Sequence, residues 1–287
     1  LRAEASGSQR TGFGSGYAAS VGFMNTGYLK GNKWRWQVSA NAEHYSPNFA
    51  TLSNITPPTP GTPLQLISTN FDLAATLSSQ RVNLSLTGNY NVGRAGRPDS
   101  FAAVVGATYA VSDRLSLTLL GRYGKTALQT DKGVFVQLLW RLGRNSSLRG
   151  SYDTSRNEAE FQLQRSSSRN VGALSYDINL RRNTQTDDFT GTGNLFYTGN
   201  RAELSLQHSY LDTADFSGPA VLSTRATIAS SLVFADGSLG LGRPVQDSFA
   251  IVSRHESLKG RDVSINPTRE GVRARTGTFG PAVVPDI

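Results

Sequence analysis

An all-β, antiparallel up-and-down architecture is what this sequence predicts, on three observations. Stretches of about 9 to 12 residues alternate apolar and polar side chains at every step, the period of two that a strand presents to its two faces. About thirteen such stretches lie between Tyr17 and Phe234. No part of the chain keeps a helical period over a useful length.

Taken in order, the stretches repeat one pattern. In residues 34–42, Trp34, Trp36, Val38, Ala40 and Ala42 share one face, with Arg35, Gln37, Ser39 and Asn41 on the other. Residues 82–90, VNLSLTGNY, oppose Val82, Leu84, Leu86, Gly88 and Tyr90 to Asn83, Ser85, Thr87 and Asn89. Leu115, Leu117 and Leu119 alternate with Arg114, Ser116 and Thr118, and Val134, Val136, Leu138, Trp140 and Leu142 form the next apolar row. Residues 173–181 set Leu174, Tyr176, Ile178 and Leu180 against Ala173, Ser175, Asp177, Asn179 and Arg181. Residues 202–210 place Ala202, Leu204, Leu206, His208 and Tyr210 on one face.

The connections are of two kinds. Ser112-Asp113, Gly143-Arg144-Asn145 and Thr198-Gly199-Asn200 are very short, and their residue types tolerate turn backbone. Others are long and polar, above all Ser46 to Ser68, with TPPTPGTP from Thr56 to Pro63. Short turns on one side and longer loops on the other predict a meander with two unlike ends.

Two architectures use a one-sided apolar meander in opposite ways. A soluble sandwich or lipocalin-like barrel turns its apolar faces inward, with strands averaging five or six residues. An outer-membrane barrel turns them to lipid, lines a wet lumen with the polar face, and crosses the hydrocarbon layer with strands of about 9 to 11 residues. Here the stretches are long, the apolar face is rich in Ala and Gly, and the opposite face is mostly Ser, Thr, Asn, Gln and Arg. Tyr90, Tyr109, Tyr123, Tyr152, Tyr197 and Tyr210 stand near strand ends, where interfacial girdles form. The expected fold is therefore a transmembrane β-barrel, and the expected partner of the apolar face is lipid.

Composition agrees and excludes other classes. Only 38% of the 287 residues are hydrophobic, against roughly 45 to 50% in soluble domains. The chain contains no cysteine, which removes disulfide frameworks and thiolate metal sites. No apolar run approaches the roughly 18 residues of a spanning helix. The opening LRAEASGSQR carries neither an initiating Met nor an apolar signal core, so a removed leader or a longer parent chain is expected.

Residues that chemistry could use are scattered. His44, His208 and His255 fall on separate elements without ligand spacing. Asp187-Asp188 sit in a polar stretch beside Thr184-Gln185-Thr186, where a solvated turn is favoured over a catalytic carboxylate pair. Gly12, Gly14 and Gly16 have no following helix to present amides to a phosphate. No catalytic, cofactor or metal site is expected. The net charge of +8 gathers near loop ends, as at Arg94 and Arg97, Arg141 and Arg144, Arg165 and Arg169, and Arg181 and Arg182. Nucleic-acid binding would call for a basic patch interleaved with exposed aromatics, and none appears, so a lumen lining or anionic lipid head groups are preferred.

The last fifty residues change character. Phe234-Ala235-Asp236-Gly237 is followed by Gly242-Arg243-Pro244-Val245 and then by Asp247-Ser248-Phe249-Ala250-Ile251-Val252. Leu258-Lys259-Gly260, Asn266-Pro267 and Gly280-Pro281-Ala282-Val283-Val284-Pro285-Asp286 come after. In order and spacing these pieces, over roughly residues 221–287, resemble the archaic or alternative branch of the fimbrial outer-membrane ushers. The resemblance centres on the junction between the last barrel strands and a periplasmic C-terminal domain. It implies Gly242, Arg243, Pro244, Asp247, Ser248, Phe249, Ala250, Ile251 and Val252 as junction and domain motif.

The resemblance further implies a pore that receives chaperone-bound pilus subunits in the periplasm and promotes donor-strand exchange. The growing fibre then passes through the lumen, and the exchange needs neither cofactor nor catalytic side chain. The family's periplasmic N-terminal domain and plug are not seen, and the C-terminal domain stops at Ile287. The expectation is residues 1–240 as part of a larger barrel and residues 241–287 as the start of a small periplasmic β-sandwich. A general porin and a soluble β-sandwich adhesin are the alternatives.

Overall fold

A computed structural model describes residues 1–12, 14–51, 62–126, 128–214, 218–258, 260–277 and 280–286. Most of the TPPTPGTP run, and Lys259, lie outside the described residues. The chain is all-β, as the alternation predicts. Its first fourteen strands are β1 (Arg2–Arg10), β2 (Gly14–Leu29), β3 (Trp34–Tyr45), β4 (Ile67–Ser78), β5 (Val82–Gly93), β6 (Ser100–Ala110), β7 (Leu115–Lys125), β8 (Thr130–Arg141), β9 (Ser146–Asp153), β10 (Glu158–Arg165), β11 (Ala173–Asn183), β12 (Phe189–Thr198), β13 (Glu203–Asp212) and β14 (Val221–Ala229). These form one antiparallel sheet in sequence order, open at β1 and β14.

Among the described residues, β2 to β14 are thirteen sheet strands, the number expected between Tyr17 and Phe234, and β1 lies ahead of that range. In β1, Ala3, Ala5 and Gly7 are the residues opposed to Arg2, Glu4, Ser6 and Ser8, and small side chains give a weak apolar signal. Its register with β2, from Arg2↔Gly22 to Arg10↔Gly14, is nevertheless regular.

Six short strands follow: β15 (Ser231–Ala235), β16 (Ser238–Gly242), β17 (Phe249–Val252), β18 (Ser264–Thr268), β19 (Gly271–Arg275) and β20 (Ala282–Pro285). They pair as β15–β16, β17–β20 and β18–β19. The β15–β16 hairpin turns on Asp236 and Gly237, both with positive φ (47° and 72°), which is the backbone of the tight turn that Asp-Gly favours. The boundary expected at residues 240/241 falls inside β16.

Packing divides the chain into two compact units, Leu1–Leu138 with Ser151–Arg156, and Leu139–Gly150 with Asn157–Ile287. Among the described residues, the buried aliphatic side chains are Val233, Val272, Ala274, Ala282, Val283 and Val284, all from the short C-terminal strands. The large sheet contributes none. Its two longest connections, 46–66 and 213–220, follow odd-numbered strands, while 79–81, 111–114, 142–145 and 199–202 after even-numbered ones are short and 166–172 after β10 is longer.

Candidate functional site

The apolar face of the sheet is uncovered in both units. In the first, Leu73, Leu84, Leu86, Val105, Leu117 and Leu119 are all exposed. The register stacks them across strands, with Leu84 between Leu77 and Ala107, and Leu86 between Ala75 and Val105. In the second unit Ile178, Leu180, Leu195, Leu204 and Leu206 are exposed in the same way. Soluble monomers rarely leave contiguous apolar patches larger than a few hundred Å² open.

Aromatic rings edge this face in two rows. Toward the long-loop connections of the first unit, Phe71 stacks on Tyr90 with ring centroids 6.4 Å apart, and Phe101 meets Tyr123 at 6.2 Å. Toward the short turns stand Trp36 and Tyr109, and the indole of Trp36 covers the space left by Gly27 across β2 and β3. Phe101 and Tyr109 bracket β6, and at roughly 3.4 Å per residue they lie about 27 Å apart along the strand. Phe189 and Tyr197 repeat that interval in β12, where Phe189 also meets Tyr210 at 5.6 Å. The two rows thus bound an apolar band on the order of 25 Å tall.

The opposite face is polar and internally bonded. Across β3, β4 and β5 the amide of Asn41 donates to Glu43 (3.0 Å), that of Asn70 to Asp72 (2.7 Å), and that of Asn89 to Asn70 and Asp72 (2.6 Å each). Arg122 in β7 makes a two-pronged contact with Asp153 at 2.7 and 2.8 Å and also donates to Ser155. The absent side chain of Gly133 makes room for Ser155, since a Cβ there would stand 2.7 Å from that of Ser155.

In the second unit the turns after β10 and β12 carry the short C-terminal strands. At the tip of the β12–β13 turn, Arg201 donates to the carbonyls of Leu241 (2.5 Å), Gly280 (3.0 Å) and Pro281. Asn200 beside it donates to the Arg275 carbonyl and accepts from the Arg275 amide, both at 2.8 Å. The β10–β11 loop adds Val171 N–H to the Val272 carbonyl at 2.9 Å, and Asn170 to the Thr268 hydroxyl at 3.2 Å.

The junction motif supplies the reciprocal contact. Arg243 is 2% exposed, and its guanidinium donates to the carbonyls of Arg169 (2.7 Å) and Arg273 (2.8 Å). Burial pushes the Arg243 and Arg201 guanidinium values down from their ordinary level, yet arginine stays charged in proteins. Gly242 is required by close approach, because a Cβ there would stand 2.5 Å from that of Val283. Gly242→Ala is therefore expected to destabilise the C-terminal strands by about 1 to 3 kcal/mol, measured by amide exchange of β20.

The rest of the motif divides by role. Phe249, Ala250, Ile251 and Val252 form β17, paired with Pro285, Val284, Val283 and Ala282. Ala250 and Val252 pack on the buried cluster Ala274, Ala282 and Val284. Pro244 is half-buried, the Ser248 carbonyl accepts from the Asp286 amide at 2.7 Å, and Asp247 is exposed. Arg201 and Asn200 escaped the sequence reading because charged and amide residues at a turn tip read as solvated.

The remaining candidates stay apart. His44, His208 and His255 bond to the hydroxyls of Thr69, Thr224 and Ser257 respectively. Asp187, at φ 65°, pairs with Arg182 at 2.8 Å. The Thr186 hydroxyl and the Ala214 amide hold the Asp188 carboxyl below the usual carboxylate range. Gly14 and Gly16 open strand β2. No protein-family model and no curated protein sequence matches this chain.

Proposed function

We propose that this chain is part of the outer-membrane β-barrel of a fimbrial usher. In this reading the β15–β20 strands lie on the periplasmic side, where they receive chaperone-bound pilus subunits. The observation that carries the membrane reading is the uncovered apolar face between two aromatic rows. In water such a face would drive aggregation, whereas in lipid it loses nothing by being uncovered, and the bonded polar face lines the lumen through which the fibre passes. Barrels of this class have their short turns on the periplasmic side, which fits strands docked on the short β12–β13 turn and on the β10–β11 loop at the same end.

The order of the junction motif and the docked C-terminal strands favour an usher over a plain channel. Subunit exchange proceeds by strand addition, which uses main-chain pairing, and among the described residues β17 is paired on one side, by β20. Truncation of the parent protein after Arg243 is expected to leave outer-membrane insertion intact and to abolish surface fibres, counted by electron microscopy after membrane fractionation. Normal fibres would overturn the usher assignment. A conductance trace from the chain alone tests the channel alternative. Open edges at β1 and β14 leave backbone groups unsatisfied at several kcal/mol each in hydrocarbon, so uniform long-lived steps would favour an autonomous porin.

A further inference from the structure

The β8–β9 turn and the β10–β11 loop meet in a cavity of about 530 Å³ at the end of the second unit that carries the β12–β13 turn. Its polar lining includes Arg144, Asn145 and Ser146 on one side, and Arg165 at the end of β10 with Ser166, Ser167 and Ser168 on the other. The two segments are fastened by the Ser166 amide donating to the Asn145 carbonyl at 2.9 Å. Among the described residues neither Arg144 nor Arg165 forms an ion pair, and the hydroxyls of Ser167 and Ser168 form no hydrogen bond within the protein. One carboxylate, that of Glu270, also lines the cavity.

We propose that this cavity binds a phosphate group. Two guanidinium forks give the planar, charge-assisted donors that phosphate oxygens accept most strongly, and the hydroxyls of Ser167 and Ser168 in the same lining can donate as well. The cationic groups outnumber the single carboxylate, so the cavity attracts anions. The source of the phosphate is either a lipid head group or free inorganic phosphate. The lipid source rests on the membrane reading above, because the short-turn end of the apolar face is then at head-group depth. The phosphate chemistry does not rest on it.

The test uses the full chain in maltoside micelles, which contain no phosphate, with inorganic phosphate as the probe and amide chemical shifts as the readout. Saturable shifts confined to residues 143–146 and 165–172 are expected. The exposed pair Arg144→Gln with Arg165→Gln should weaken binding at least about tenfold, the loss anticipated for charged hydrogen bonds. Arg114→Gln, in the β6–β7 turn, removes a charge outside the cavity and should leave binding unchanged. A second arm compares bilayer discs of phosphatidylglycerol with discs of a neutral, phosphate-free glycolipid. The same shifts in the first discs alone identify the lipid head group as the source, and shifts with inorganic phosphate alone identify the free anion. Absence of saturable shifts in both arms, or equal weakening by Arg114→Gln, would overturn the proposal. Failure to enter either disc with phosphate binding intact would refute the membrane reading and leave the cavity's chemistry standing.

Discussion

Leu86→Arg is expected to destabilise the folded sheet in lipid by roughly 2 to 4 kcal/mol, while Thr87→Arg costs less than about 1 kcal/mol. The two residues are neighbours at the middle of β5 and point to opposite faces. Leu86 lies between Ala75 and Val105 on the uncovered apolar face, and Thr87 between Ala74 and Val104 on the polar one. The direction of the contrast depends on the solvent. If the apolar face met water, an arginine there would replace an exposed leucine at little cost, because Leu86 has no protein layer above it. Urea unfolding of both variants in bilayers, with the same pair in micelles for comparison, measures the difference. Equal and small effects at residues 86 and 87 would remove lipid as the partner of this face.

Arg243→Ala is expected to undock the C-terminal strands, at a loss of roughly 2 to 5 kcal/mol, because two carbonyls lose a charged donor inside the protein. Those carbonyls belong to Arg169 in the β10–β11 loop and Arg273 in β19, so one side chain ties the end of the large sheet to the small strands. Arg243→Lys should recover only part of the loss, since an ammonium cannot reproduce the guanidinium fork. Asp247→Ala, four residues on in the same motif but exposed, should change stability by no more than about 0.5 kcal/mol. Hydrogen exchange across β17 and β20 distinguishes them. Rapid exchange in Arg243→Ala with protection retained in Asp247→Ala is the expected pattern, and unchanged protection in both would show that Arg201 and Asn200 hold the strands without it.

Much of the sheet was legible because its signals are local. The alternation at 34–42, 82–90 and 173–181 reappears in β3, β5 and β11, each extended by a few residues. The short turns expected at Ser112-Asp113, Gly143-Arg144-Asn145 and Thr198-Gly199-Asn200 connect β6 to β7, β8 to β9 and β12 to β13. The first strand was obscured by its alanines and glycine, since small side chains carry little hydrophobic contrast. The junction motif was visible as a string of residues, but the work of Arg243 was not. Its acceptors lie 74 and 30 positions away, and no spacing in the sequence marks a residue that bonds to main-chain carbonyls. That Arg144 and Arg165 line one cavity was hidden for the same reason, although both stand among the charges near loop ends.

Alternation along stretches such as VNLSLTGNY determined by itself which side chains share a face, because side-chain direction in a strand follows from the backbone of that strand alone. Which face would be left without a protein layer was decided only by the tertiary structure, because a covering layer has to come from elsewhere in the chain and the short C-terminal strands dock on turns instead. That docking was likewise a tertiary outcome. Arg201, Asn200 and Arg243 bond to carbonyl and amide groups that every residue carries, so their partners are selected by where the chain returns in space and not by residue type.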